Sequence, residues 1–504
     1  MNTLLQVLNG FGTLLLPANF LSLLVGFLIG VVFAIIPGLT ATLAIVLLLP
    51  LTYSMPMNMA LCMCMGIYMA GMYGGSITAI TINIPGAPSS CMTGLEGYPM
   101  MQRGEGARAI GFASISSAIG GAIGVILLIL VSPIAVKAAL LVKTPGKASL
   151  IFFAITVICI TQGKAWKKAV LMALIGYICS SVGMGLLNPT ARFTFNSVVL
   201  MEGLDFVPIV IGAFAISEVL TQSEVKNSEY EAISNQVKDL VIHRKDFWPS
   251  WQDMKDIGLK HYLKSSVIGF FVGVLPGTGG SLASFVCYAE GKRSAKHPEL
   301  FGNGSIEGIA CSESANNAVC GGAMVPMLAF GIPGDGVTAV VLGVLMVYGI
   351  VPGPDIMTRQ MHLVAPMYAA LLVAAVVLIP LSLFLFGPYY IKIVRINRIV
   401  LYTTIALIAI AGAYAATNSI FQIVVSIVIG IVVYVMRKEK YAPVTLILGA
   451  LLGPLFETYF RRTLSISKNN LAIFLEPDSL VFLLLTVVFS FFLVRIQNRE
   501  TNTR

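Results

Sequence analysis

Long apolar runs, broken at intervals by short charged clusters, set the pattern of this chain. Stretches without Lys, Arg, Asp or Glu cover 109–136, 169–191, 265–289, 314–334, 360–391, 399–436 and 479–494, with shorter candidates near 148–162, 206–217 and 441–456. A spanning helix needs about 20 predominantly apolar residues, so these runs read as membrane helices. Glu96 is the only formal charge before Arg103, and that uncharged region is long enough for three more passes. The pattern predicts an all-α polytopic membrane protein with about ten to twelve membrane segments, several of them short or broken.

One substantial polar insert, 222–264, mixes Glu224, Lys226, Glu229, Glu231, Lys238, Asp239, Arg244, Lys245 and Asp246. It reads as a cytoplasmic linker between a first membrane half, 1–221, and a second, 265–504. Basic clusters at Lys164, Lys167 and Lys168, at Lys292, Arg293 and Lys296, at Lys392, Arg395 and Arg398, and at Arg437, Lys438 and Lys440 face the cytoplasm under the positive-inside rule, as does the tail Arg495 to Arg504. Segment 265–289 then has cytoplasmic flanks on both sides. It must enter and return, as a re-entrant hairpin. Pro352 and Pro354 leave the placement of 336–354 open. No basic region precedes the first apolar run, so no cleaved signal peptide is expected.

Composition mainly excludes alternatives. Of 504 residues, 57% are hydrophobic and 11% charged, where soluble domains carry about 25% charge. A mean hydropathy of +0.89 over the whole chain requires lipid to cover most apolar side chains. The net charge of +9 is spread over the topology clusters and forms no nucleic-acid surface. The eight Cys include no Cys-x-x-Cys, and no two of the four His lie within four residues, so neither a metal centre nor a disulfide framework is indicated. Cys62 and Cys64 read as small apolar packing residues. No Gly-x-x-x-x-Gly-Lys-Ser/Thr occurs, which points to an ion gradient rather than ATP. A membrane-embedded enzyme would need a nucleophile with its base, paired carboxylates or a His-rich motif in the apolar region; the sequence has none, and no organic cofactor is expected.

Internal comparison carries the most information. Gly30, Pro37, Gly38, Leu43 and Ala44 recur at constant offset as Gly269, Pro276, Gly277, Leu282 and Ala283, with Thr42 facing Ser281. Gly74-Gly75 followed by Ile84-Pro85-Gly86 returns as Gly321-Gly322 followed by Ile332-Pro333-Gly334, with one extra residue in the second copy. The chain therefore reads as two related halves, expected to be inverted relative to one another. Pro-Gly inside an apolar run breaks a helix, because Pro lacks the amide hydrogen and Gly permits the turn. Unpaired backbone in the membrane is tolerable only beside protein, water or ligand. Each break is followed by small or hydroxylated residues that open a new helix, whose free amides carry partial positive charge. Paired broken helices in two halves are the pattern of a secondary transporter with its site near the midplane.

The candidate substrate-binding residues follow: Pro37, Gly38, Thr40, Ala41 and Thr42; Ser76, Asn83, Pro85 and Gly86; Pro276, Gly277, Thr278, Gly279, Gly280 and Ser281; and Asn316, Asn317, Gly331, Pro333 and Gly334. Thr40, Thr42, Thr278, Ser281, Asn83, Asn316 and Asn317 are expected to line one cavity. Asn83, Asn316 and Asn317 are candidate ligands for a coupling cation, or else interhelical hydrogen bonders. Glu313 is either paired or functional in apolar surroundings, or sits at a helix end in water.

These residues lie in stretches that resemble the large membrane subunit of the tripartite tricarboxylate transporter family: PGLTATLAIVLLLPLTY (37–53), YGGSITAITINIPGAPSS (73–90), LEGYPM with RGEGARAIG (95–111), GVLPGTGGSLASF (273–285), 296–334 and the downstream GIVPGP. The chain departs from the family's pattern at Thr78, where Pro is common, at Glu96, where Asp is usual, and in CSESANNA ahead of the break. The resemblance implies a carrier of the bacterial cytoplasmic membrane. It would work with a small membrane subunit and a periplasmic solute-binding protein, importing carboxylates such as citrate with a sodium gradient. A stand-alone carboxylate carrier without a binding protein is the alternative. No Lys or Arg lies within the charge-free runs, so a carboxylate would be held by helix N-termini, hydroxyls, Asn amides and co-bound cations.

Overall fold

The computed structural model describes residues 3–185, 190–225, 244–295, 297–393 and 396–502. Lys296, Arg395 and the Lys226–Asp239 portion of the polar insert lie outside them. The described chain is almost wholly helical, with one two-stranded ribbon pairing Gly183–Met184 with Ala191–Arg192. In order come α1 (Thr3–Leu14), α2 (Pro17–Ile35), α3 (Ala41–Thr52), α4 (Met57–Ile82), α5 (Cys91–Gln102) and α6 (Gly106–Leu141). Then follow α7 (Thr144–Ile160), α8 (Trp166–Ser181), α9 (Phe206–Ser223), α10 (Trp251–Ile257), α11 (Leu259–Val274), α12 (Gly279–Ser294) and α13 (Ile306–Phe330). The series ends with α14 (Gly336–Val347), α15 (Met361–Tyr390), α16 (Arg398–Thr417), α17 (Ile420–Lys438), α18 (Pro443–Ile466) and α19 (Pro477–Asn502). Among the described residues, eight of these are long and apolar enough to cross a membrane: α2, α4, α6, α9, α15, α16, α17 and α18. Four shorter apolar helices, in α3, α7, α14 and Pro477–Phe491, bring the set to the predicted range.

The uncharged N-terminal region does not make three plain passes. Gly38, at φ +90°, turns the chain between α2 and α3, so these two form a hairpin before α4. The segment around 265–289 likewise folds as a hairpin. Lys264 of α11 pairs with Glu290 of α12 at the shared open end, and Arg293 Nε adds a second bond at 2.8 Å. Hydrogen bonds from Arg293 and then Lys264 hold the Glu290 carboxyl down at about 2.

The same close contacts occur twice. A side chain on Gly30 would meet the backbone of Ile67, and one on Gly269 the backbone of Ala315. Gly74 lies on Ala34 and Val31, and Gly322 on Gly273 and Phe270. Gly86 lies on Ala34 and Gly75, and Gly334 on Gly273 and Ala323. Asn83 ends α4 in the left-handed conformation (φ 57°), as Gly331 ends α13 (φ 69°). These contacts correct the sequence register. Gly74 matches Gly322 and Gly75 matches Ala323, so the second copy needs no extra residue.

Small residues let α4 and α13 be buried on all sides. They run antiparallel, with Met69 and Met72 facing Asn317 and Asn316. Beyond its break, α4 continues as α5 to the start of α13. Beyond its own, α13 continues as α14 to the start of α4, where Tyr348 donates to Met55 O (2.9 Å). The described part of the polar insert is docked on the helices: Phe247 is buried against Gly111 and Gly387, and Arg108 pairs with Asp253 at 2.8 Å.

Glu96, the lone early charge, ties α5 to the entry of α13. Its fully buried carboxylate accepts from the amides of Gly302 (2.6 Å), Gly304 (2.8 Å) and Ser305 (2.8 Å), and from Tyr288 Oη (2.6 Å). Glu96→Ala strands these donors and should destabilise the chain by about 2–4 kcal/mol, with Glu96→Gln costing less. Thermal unfolding in detergent measures both; an unchanged midpoint in the Ala variant refutes the anchoring role.

Candidate functional site

Each helix break frees backbone groups and starts a new helix, and the new N-termini face one another. Thr42, in the first turn of α3, lies against Gly336 at the start of α14 (3.4 Å from where a Cβ would be). Gly279, which opens α12, lies beside Asp335, the N-cap of α14 (4.0 Å on the same measure). Gly280 abuts Ser89, in the single 3-10 turn Pro88–Ser90 that leads into α5. Ala41 packs on Gly71 of α4. The N-terminal ends of α3, α5, α12 and α14 thus gather around the middle of α4 and α13. Their partial positive charges add in a region that favours an anion.

The breaks also stabilise one another. Gly277 N–H donates to Gly334 O (2.8 Å), which joins the two breaks of the second half, and Gly86 N–H donates to Gly75 O (3.1 Å). Thr40 Oγ1 caps α3 by accepting from Leu43 N (3.2 Å). Thr278 Oγ1 instead turns back and donates to Val272 O (2.5 Å) and Leu275 O (2.9 Å).

Asn316 and Asn317 are fully buried in α13. Asn316 Nδ2 donates to Met72 O (2.7 Å), and Asn317 Nδ2 lies 3.4 Å from Met69 O. The interhelical hydrogen bond is therefore real, yet it occupies only the amide nitrogens. Neither Oδ1 has a hydrogen-bond partner among the described residues. That of Asn316 points at Gly280, where any side chain would collide with it. Buried carboxamide oxygens without a donor are uncommon and ask for a ligand, ion or water.

The structure does not gather every predicted residue. Asn83 is exposed and about 16 Å further along α4 than Met72, by the rise of eleven residues, so it cannot share one ion with Asn316 and Asn317. Ser76 is buried and donates to Tyr73 O (2.5 Å). Ser281 is exposed on α12. Pro37-Gly38 lies apart from Pro276-Gly277: Gly38 packs on Glu218 and Gln222 at the end of α9, while Gly277 packs on Ile158 near the end of α7. Pro85 and Pro333 fix the turns that place Gly86 and Gly334.

Nor is the site central along its neighbours. Thr161, just past α7, donates to Gly277 O (3.3 Å); Gly336 lies against Val444 in the first turn of α18 (3.2 Å from where a Cβ would be); and Arg437 at the end of α17 pairs with Glu218 (2.6 Å) beside Gly38. All three contacts lie at the end of these helices marked by Lys168 and Lys440.

Three functional candidates escaped the sequence reading. Asp335 accepts from Tyr68 Oη (2.5 Å) and forms a capping box with Thr338 (2.8 Å); an Asp directly after Pro333-Gly334 with Thr three residues on was a readable signal. Tyr68 had none, since it joins Asp335 only through the fold. Ser90 Oγ is buried with no hydrogen-bond partner among the described residues. Glu313 is not at a wet helix end: it is fully buried, held by Thr93 Oγ1 and by Ser117 Oγ (2.7 Å). Among the described residues no cation forms an ion pair with it.

Residues 20–448 match the family model described as "Tripartite tricarboxylate transporter TctA family". The chain is 34% identical over 466 residues to an Agrobacterium vitis protein named "Uncharacterized 52.8 kDa protein in TAR-I ttuC' 3'region", covering 92% of this chain and 91% of that one. It is 39% identical over 206 residues to "Uncharacterized protein in TAR-II ttuC' 3'region" of the same organism, covering 41% of this chain and 85% of that one. No solved structure matches the chain significantly.

A double-mutant cycle tests the central contact. Gly280→Ala should cost about 1–3 kcal/mol through overpacking against Asn316, and Asn316→Ala should relieve at least ~0.5 kcal/mol of that cost. Unfolding midpoints of the four proteins measure the coupling; additive effects would place the carboxamide elsewhere.

Proposed function

The chain belongs to the tripartite tricarboxylate transporter TctA family, and on that premise we propose that it is the large membrane subunit of a binding-protein-dependent importer of citrate-like carboxylates. In this reading it lies in the bacterial cytoplasmic membrane beside a small membrane subunit and receives substrate from a periplasmic solute-binding protein. A cation gradient, of sodium, drives uptake. The observation that carries the proposal is the gathering of four helix N-termini around Gly279-Gly280 and the open Oδ1 of Asn316. Backbone amides at helix N-termini bind carboxylates without a cationic side chain.

Sodium coupling draws support from charge balance. Asp335 and Glu313 stand near a site for an anion, which is favourable in apolar surroundings only if cations accompany the substrate. Glu313, Asn316 and Asn317 offer oxygen donors alone, the donor type that hard cations take. We further propose that 1–221 and 265–504 are inverted repeats joined by 222–264. The duplicated glycine contacts and the antiparallel course of α4–α5 and α13–α14 support that reading.

Vesicles containing this chain, its small subunit and its binding protein should accumulate labelled citrate only with an inward sodium gradient. Asn316→Ala or Asn317→Ala should raise half-saturation for sodium about ten- to a hundredfold, the loss of one oxygen contact to a bound cation worth about 1.5–3 kcal/mol. Glu313→Gln should shift the sodium dependence of uptake. Unchanged substrate and sodium kinetics in all three variants would remove the site from this part of the fold.

A further inference from the structure

A second site lies away from the helix breaks, where α7, α8 and α18 meet. An apolar groove of about 410 Å³ runs along α8 between Trp166 and Tyr177, lined by Phe152, Val170, Leu174 and Gly453 among others. It shares Tyr177 and Phe456 with a cavity of about 930 Å³ at the C-terminal end of α18, lined by Glu457, Arg461, Arg462 and Lys468. Arg192 and Arg461 pair with Glu457 at 2.8 Å and 2.6 Å. Neither Arg462 nor Lys468 has an ion-pair partner among the described residues. Basic side chains thus outnumber the single carboxylate.

Topology does not account for this charge. The cavity lies at the opposite end of α8 and α18 from Lys168 and Glu439, which pair beside the basic clusters that the positive-inside rule assigns to the cytoplasm. It is a basic pocket on the face where basic residues are otherwise disfavoured, and it adjoins the apolar groove at Tyr177 and Phe456.

We propose that the groove and cavity together bind an anionic phospholipid, with one acyl chain along α8 and the phosphate headgroup at Arg462 and Lys468. The dimensions favour this occupant. Eleven helical residues from Trp166 to Tyr177 span about 16 Å, near half of a ~30 Å hydrocarbon core. A soluble anion would use the cavity and leave the groove unexplained. The apolar wall and the basic rim are the two halves of a lipid's chemistry.

The full chain in detergent is incubated with phosphatidylglycerol or phosphatidylcholine, and bound lipid is counted by native mass spectrometry. Phosphatidylglycerol should be retained at least fivefold over phosphatidylcholine. The double variant Arg462→Gln/Lys468→Gln, altered only at exposed unpaired side chains, should lose that preference. Leu174→Trp, which fills the groove from an exposed position, should lower phosphatidylglycerol retention several-fold. Elution volume in size exclusion confirms that both remain folded. Equal retention of both lipids, or retention unchanged in either variant, overturns the proposal. So does competition by millimolar inorganic phosphate with no effect of Leu174→Trp, which would identify a soluble-anion pocket. Loss of a co-purified small subunit from Leu174→Trp with lipid retained would assign the groove to a helix instead, and also overturns it.

Discussion

Every backbone N–H and C=O must find a partner where there is no water, and the interrupted helices of this chain meet that demand with one another. A break such as Pro276-Gly277 would be costly facing lipid. It is stable because Gly277 donates to Gly334 in the neighbouring break, and because Ile158 of α7 covers it. The left-handed caps at Asn83 and Gly331 close the ends of α4 and α13 in the same way. What satisfies the breaks therefore also brings them together. The cluster of helix N-termini is a consequence of backbone accounting before it is a binding site.

That dependence explains why small residues dominate the contacts. Gly30, Gly269 and Gly322 sit against backbone and Gly74 against the Cβ of Ala34, with no room for a Cβ of their own. A side chain at any of them would push α2 from α4 or α11 from α13 and separate the breaks whose bonds close the structure. The helices carry little hydrophobic drive to associate within lipid, so close packing and the few polar bonds across it do most of the joining. Glu96 contributes at the rim, where a carboxylate satisfies backbone amides that no helix could.

The helical membrane class, the hairpin at 265–289 and the duplicated Pro-Gly order were legible because each leaves a local mark: an apolar run, a charge flank, a repeated spacing. The register of the second duplicated pair was not, since matching Gly-Gly to Gly-Gly is the obvious alignment. Only the contacts reveal that Gly75 corresponds to Ala323. Asn83 looked like a partner of Asn316 and Asn317 because all are amides in apolar sequence; the fold uses it as a helix cap, a role for which Asn and Gly are interchangeable. Tyr68 could not be found from its neighbours, as its partner Asp335 is distant in the chain.

The electrostatics of the site follow from what the breaks supply and what they lack. Four helix N-termini offer partial positive charge, while Asp335 and Glu313 bring carboxylates and no Lys or Arg joins them in an ion pair among the described residues. Tyr68 and Thr338 hold the Asp335 carboxylate with hydrogen bonds, and Thr93 and Ser117 hold that of Glu313. Hydroxyls stabilise a charge without cancelling it, so the net field at the Asn316 carboxamide can be set by what else enters. A fixed arginine there would hold an anion tightly in every conformation, which opposes release. Dipoles and mobile cations bind an anion only while the cations are present, and that conditional affinity is what coupling of one solute to another requires.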